Sequence, residues 1–310
     1  MKTIQFVSDF YVNEVNGGAE ANDFAYIQAL TTNLYQNDRK GTVDAPESKV
    51  GGQYVVECHK TAELTIETVK DHSDDLWVFG NFAHFKDYKV MTYFYTNNIK
   101  YIHISNDHIY CLYRNPLKHN AELKCDCYDP SQNLHLFLKN ALAIVCQSKW
   151  HKEIWEKNVI SPRIISIGNL WDTDILNYIE SKLNESVVKN EKYLIWESSY
   201  EHKNTAGAIQ EATRKGLEYE LVKDLPQKLL IDKLIESKGI IFIPTLCESY
   251  SRWVAEARMF NCKIITNNLC GVTKEDHFKL KGIDFVNYIR NEPPKKLVEL
   301  IDVLYNNVVK

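Results

Sequence analysis

Short apolar runs alternate along the chain with longer stretches in which apolar positions recur every three to four residues. The runs predict buried strands, and the periodic stretches predict helices with one apolar face. In the first half the predicted strands are Lys2–Ser8, Tyr54–Glu57, Leu76–Phe79, Lys100–Ser105, Ala143–Cys146 and Ile164–Ile167. They are short and mostly apolar, as parallel strands covered by helices on both faces are. Helices are predicted over Glu20–Asn33, where Phe24, Ile27, Ala29 and Leu30 recur at helical spacing, and over Leu134–Ala141 and Trp150–Lys157. Most aromatic residues, Tyr93, Phe94, Tyr95 and Trp253 among them, fall at core positions of this pattern.

The pattern restarts with strand Tyr193–Trp196, helix Asn204–Lys215, strand Leu217–Val222, helix Gln227–Ser237, strand Gly239–Ile243, helix Tyr250–Phe260 and strand Lys263–Thr266. A last strand is expected near Phe285, ahead of a helix from Pro294 to Asn306. The polar stretch Asp172–Lys192 reads as the connection between two domains, 1–171 and 172–310, with the last helix available to pack back on the first. The fold class is α/β, two doubly wound domains whose ligands sit beyond the carboxyl ends of the strands.

At 310 residues there is room for two cores, and 45% hydrophobic with 25% charged residues excludes a disordered or fibrous chain. The net charge of −4 provides no global positive field, so nucleic acid is not expected as a partner. Met1–Glu14 lacks the polarity of a secretory signal, and runs such as Ile240–Ile243 fall far short of the roughly 20 residues that cross a bilayer. A cytoplasmic protein is expected, with peripheral membrane contact left open. The 8 Cys are too few for a disulfide scaffold, and Cys146 and Cys262 read as buried small hydrophobes. Cys111, His119, Cys125 and Cys127 bring four soft ligands close in sequence. Their Cys-x-Cys spacing fits common zinc modules poorly, so a loop of reduced thiols is expected ahead of a structural metal, the alternative that stays open.

The segment Gly239–Cys262 carries the most chemistry. A buried strand ends at Pro244, a loop carries Glu248, and a helix begins near Tyr250 with Glu256 about two turns on. A helix amino terminus favours an anion such as phosphate, and two carboxylates beside it can accept hydrogen bonds from vicinal hydroxyls of a ribose or hexose. Spacing alone equally fits a helix-start acid at Glu248 and a solvated face residue at Glu256. No Gly-x-Ser-x-Gly elbow, Walker loop or Gly-x-Gly-x-x-Gly after a strand is present, which counts against hydrolase, ATPase and dinucleotide oxidoreductase readings.

The order of strand, Glu248, Ser249, Tyr250, Ser251 and then Glu256 resembles the Glu-x7-Glu segment of retaining group 1, family 4-like glycosyltransferases. Two further segments are similar to that family. Gly17 and Gly18 follow the first strand as its glycine loop does, and Lys203 follows the first strand of the second half. Gly168 to Asp172 looks like an altered form of the segment that closes the family's first domain. Ser198 stands where the family places an Arg. Arg252 reads either as a replacement for that charge or as a surface residue.

The resemblance implies the GT-B fold, two Rossmann-like domains facing across a cleft, and transfer of a hexose with retention. It implies a UDP or GDP sugar donor, no metal and no other cofactor, and a glycan, lipid-linked or protein acceptor. Glu248 would act at the sugar and Glu256 would hold the ribose. Lys203, Arg252, the amides of Ser249, Tyr250 and Ser251, and the Gly17 and Gly18 backbone would hold the diphosphate. Asp107 and His108, at the end of a first-half strand, would lie by the reacting sugar. Ser198 and the short chain leave open a catalytically silent nucleotide- or glycan-binding protein, and the same architecture would also suit a nucleotide-sugar epimerase.

Overall fold

The computed structural model describes residues 2–10, 17–31, 54–82, 88–127, 129, 131–161 and 163–308. Thr32 and Asn33, at the end of the expected first helix, lie outside the described residues. The chain divides into two compact units, one of residues 1–147, 152–172 and 291–310, the other of residues 148–151 and 173–290.

Among the described residues, the first unit is built on six parallel strands, β1 (Lys2–Ser8), β2 (Tyr54–Lys60), β3 (Leu76–Phe79), β4 (Tyr101–Ser105), β5 (Ala143–Cys146) and β6 (Ile164–Ser166), in the order β2-β1-β3-β4-β5-β6. Period-two alternation assigns the strand residues to two cores. Ile4, Phe6, Val78, Ile102 and Val145 pack with Tyr26 and Leu30 of α1 (Gly18–Leu30) on one face. Val7, Trp77, Phe79, Tyr101 and Ile144 pack on the other with α3 (Tyr88–Thr96), α4 (Asn133–Asn140) and α5 (Lys149–Asn158), through Phe94, Phe137 and Trp155. Helix α2 (Ile66–Asp71) adds Val69 to that second core.

The second unit holds β7 (Tyr193–Trp196), β8 (Tyr219–Val222), β9 (Gly239–Phe242) and β10 (Lys263–Thr266), all parallel, in the order β10-β9-β7-β8. Its helices are α6 (Thr173–Leu183), α7 (Thr205–Arg214), α8 (Gln227–Glu236) and α9 (Arg252–Met259). Two sequence expectations are corrected. The stretch Asp172–Lys192 is not a plain connection, because α6 occupies half of it and buries Ile175, Leu176 and Ile179 on one stripe. No strand forms at Phe285: Phe285, Val286 and Ile289 are buried at helical spacing within α10 (Ile283–Val308), which continues through Pro293 and Pro294.

Each proline removes a helical donor. They fall where α10 passes from the second unit to the first, just after Arg290. Beyond them Leu297, Leu300, Ile301 and Leu304 join the core beneath β1. Among the described residues no helix is long and apolar enough to cross a membrane.

Candidate functional site

In the second sheet β7 comes first in sequence and is flanked by β8 and β9, so the chain reverses its direction across the sheet between β7 and β9. Loops diverge at such a point and leave room for a ligand beyond the carboxyl ends of the strands. Lys203 follows β7 and Glu248 follows β9. The structure joins them: Lys203 Nζ donates to both oxygens of the Glu248 carboxylate, at 2.8 and 3.0 Å.

Neighbouring backbone fixes both loops. Asn204, at φ 55°, caps α7 by accepting from the Gly207 amide at 3.1 Å, and its own side-chain amide donates to the Ile243 carbonyl at 2.8 Å. The Glu248 loop pairs with the segment after β10: the Glu248 amide donates to Leu269 O at 2.8 Å, Gly271 to Glu248 O at 2.9 Å and Val272 to Tyr250 O at 2.9 Å. Ser148 Oγ donates to Ser249 O at 2.6 Å. Gly271 is required for this packing, since a Cβ there would lie 2.2 Å from Ser249 O.

The helix starts at Arg252, two residues later than predicted, with Ser251 in a left-handed conformation at φ 76°. Tyr250 is fully buried and its hydroxyl lies 3.0 Å from His277 Nε2, so its side chain is part of the wall and only its backbone is left to serve a ligand. Arg252 is no surface residue. Its side chain is 13% exposed and its Nε lies 3.9 Å from Glu256 Oε1. Glu256 is buried as well, and Gln227 Nε2 donates to it at 3.1 Å, which removes the solvated-face reading. Ser198 has no charge to offer; its Oγ accepts from the Tyr200 amide at 3.1 Å. A cation, an opposed carboxylate and a helix start thus meet at one switch point, a combination suited to an anion with neighbouring hydroxyls.

The first sheet has its own switch point, because β1 is flanked by β2 and β3. A buried polar network gathers there from the ends of β1, β3, β4, β5 and β6. Asp23 of α1 accepts from Ser8 Oγ at 2.9 Å, the Asn81 amide at 2.7 Å and Asn106 Nδ2 at 3.2 Å. Asn106 Oδ1 accepts from Asn22 at 2.9 Å and Gln147 at 2.5 Å, and Asn169 donates to Gln147 Oε1 at 3.1 Å. Glu20 accepts from Asn81 Nδ2 at 3.0 Å. Burial pushes the Asp23 carboxyl up to about 7, against the lowering effect of its hydrogen bonds. The sequence reading did not single out Asn22, Asp23 or Gln147. The signal was there in α1, where Asn22 and Asp23 interrupt an otherwise apolar face.

Gly17 caps α1 in extended backbone, its carbonyl accepting from Ala21 N at 3.0 Å, and Gly18 is the first helical residue. Asn16, the start of the glycine loop in sequence, lies outside the described residues. Asp107 accepts from Arg114 Nε at 2.6 Å, and burial holds its carboxyl above the ordinary range despite that cation. His108 is buried beside Tyr110, its Nδ1 3.4 Å from the Tyr110 hydroxyl.

No family model matches the chain, and no curated protein matches it in sequence. Solved structures match it along nearly its whole length. HepE from Anabaena, in complex with UDP and glucose, superposes with a TM-score of 0.53 at 12% identity, covering 98% of this chain and 99% of that one. The trehalose 6-phosphate synthase of Burkholderia multivorans gives 0.51 at 9% identity over 99% and 93% of the two chains. AviGT4, a glycosyltransferase of avilamycin A biosynthesis, gives 0.51 at 10% identity over 100% and 98%. With its two doubly wound parallel sheets, the chain has the fold of the GT-B glycosyltransferases.

Proposed function

We propose that this protein is a glycosyltransferase that moves a hexose, with retention, from a nucleotide diphosphate sugar to an acceptor hydroxyl. The observation that carries this reading is the Lys203–Glu248 pair at the β7/β9 switch point, beside the start of α9. The fold shared with HepE, a protein seen with UDP and glucose, supports it.

In transfer, the bond between the sugar's anomeric carbon and the diphosphate breaks, leaving positive charge on the ring and negative charge on the phosphate. Lys203, the amides around Ser249, Tyr250 and Ser251, and the dipole of α9 would stabilise the second of these charges. Arg252 adds to this field from its partly buried position. A phosphate reaching Lys203 would compete with Glu248 for the ammonium and release that carboxylate to accept from sugar hydroxyls. Glu256, which accepts from Gln227, would accept from the ribose. In the first unit, taken by itself, we assign the Gly17 and Gly18 amides as candidates for a phosphate contact and Asp107 and His108 as candidates for the acceptor. The donor is a UDP or GDP sugar; a glycan, a lipid-linked group or a protein would present the acceptor hydroxyl.

Donor binding and transfer or hydrolysis are to be measured with a panel of UDP, GDP and ADP sugars, comparing the wild type with Lys203→Ala and Glu248→Ala. Loss of binding and turnover in both variants is expected. Binding unchanged in both would remove these residues from the donor site.

A further inference from the structure

Among its described residues, the loop from Asn106 to Gln132, between β4 and α4, holds one turn of 3-10 helix, at Pro116–Lys118. Its described residues form no other regular element, and a long loop of that kind needs another source of order. Two of its residues, Arg114 and Leu123, adopt left-handed backbone at φ 51° and 62°, which the surroundings must sustain.

Four soft ligands converge in this loop. His119 Nε2 lies 3.4 Å from Cys111 Sγ and 3.2 Å from Cys127 Sγ, and the ligand atoms of these residues and Cys125 all fall within 4.8 Å of one another. With Zn–S of about 2.3 Å and Zn–N of about 2.0 Å, a tetrahedral site sets its ligand atoms about 3.5 to 3.8 Å apart. The observed distances fit that shape with little movement. Cys111 is buried and the other three are half-buried, and no disulfide joins them. The loop is tied down nearby: the Cys125 amide donates to Asn158 Oδ1 at 2.8 Å, and Asn158 Nδ2 donates to Leu123 O at 2.9 Å.

We propose that Cys111, His119, Cys125 and Cys127 bind one zinc ion as a closed structural site. The three thiols lose their protons to solvent as the metal binds, and His119 coordinates through Nε2. Four protein ligands leave no open position, so the ion serves structure, stapling the loop that begins with Asp107 and His108. Of the two readings the sequence leaves open, a thiol loop or a metal site, the proposal takes the second. The Cys-x-Cys spacing had obscured the site because the chain brings Cys111 and His119 back onto Cys125 and Cys127 in space.

The test is metal analysis of the full, tag-free chain by mass spectrometry, with one equivalent of zinc expected. Exchange with cobalt should give the thiolate charge-transfer and intense d–d bands of a four-coordinate site. Titration of wild-type protein with a mercurial should release the zinc as the three ligand thiols react, in addition to the exposed Cys58. His119→Ala and Cys127→Ser should lose most of the metal, while Cys58→Ser, at an exposed position on β2, should keep it. Because loss of a staple can unfold the first two variants, the cobalt spectrum and the mercurial titration rest on the wild type alone. Zinc no higher than the buffer blank, a disulfide among Cys111, Cys125 and Cys127, or equal metal loss in Cys58→Ser would overturn the proposal.

Discussion

Replacing Asp23 by asparagine should change how stability depends on pH. The carboxyl is buried and its titration is raised from 3.8 to about 7. Between those values the folded chain keeps a proton that the unfolded chain has released, so stability falls as pH rises through this window. Below it the group is protonated in both states, and above it the full cost of an ionised buried carboxylate is present. A gap of about three pH units at about 1.36 kcal/mol each amounts to about 4 kcal/mol. A side-chain amide cannot ionise in this range, so the Asp23→Asn variant lacks this loss. The assay is urea unfolding followed by circular dichroism, from about pH 4 to about pH 8, for both proteins. The wild type should lose about 4 kcal/mol relative to Asp23→Asn across that range. His59, whose titration is lowered chiefly by burial, acts in the opposite direction, but both proteins contain it and its effect cancels in the difference. A difference that stays flat with pH would refute the reasoning.

Gly80→Ala would place a Cβ 2.3 Å from Asp23 Oδ2, and a destabilisation of about 1 to 3 kcal/mol is expected by thermal or urea unfolding. The same change in an Asp23→Ser background should cost less; an equal cost would show that the Asp23 side chain is not the obstacle. Lys203→Ala removes one charge-assisted contact, and UDP affinity measured by calorimetry should fall by about 1.5 to 3 kcal/mol, roughly 10- to 150-fold, whereas an unchanged affinity would contradict the assignment. Gly271→Ala forces the Ser249 carbonyl away from its bond with Ser148, so donor affinity and melting temperature should drop together. A drop in neither would show that the loop tolerates the displacement.

Strand positions were legible because each buried run is short and bounded by polar turns; Leu76–Phe79 and Ala143–Cys146 were read to the residue. The end of the chain was misread because Pro293 and Pro294 suggested a helix start and the apolar cluster at Phe285 was taken for a strand. Only the packing of Phe285, Val286 and Ile289 identifies that cluster as one face of a helix. In the candidate site, the family resemblance singled out Glu248, Glu256 and Lys203, whereas spacing alone left the two acids open. The ion pair between Lys203 and Glu248, the burial of Arg252 and the partnership of Tyr250 with His277 depend on contacts between residues distant in sequence, which local patterns do not encode. The Asp23 network carried a local signal in the polar residues of α1, but their partners come from the ends of five strands and only the fold brings them together.

The passage of α10 back into the first unit constrains how the chain acquires its structure. Tyr305 donates to the Thr3 carbonyl and stacks on Tyr54 at 5.4 Å, and Leu297, Ile301 and Leu304 complete the core beneath β1. During synthesis the leading strands must therefore wait, with part of their apolar surface uncovered, until more than two hundred later residues have emerged. The second unit draws almost all of its residues from one continuous stretch and can close earlier. The unit made first is the last to be finished, and removing the final turns of α10 should unfold it while leaving its neighbour standing.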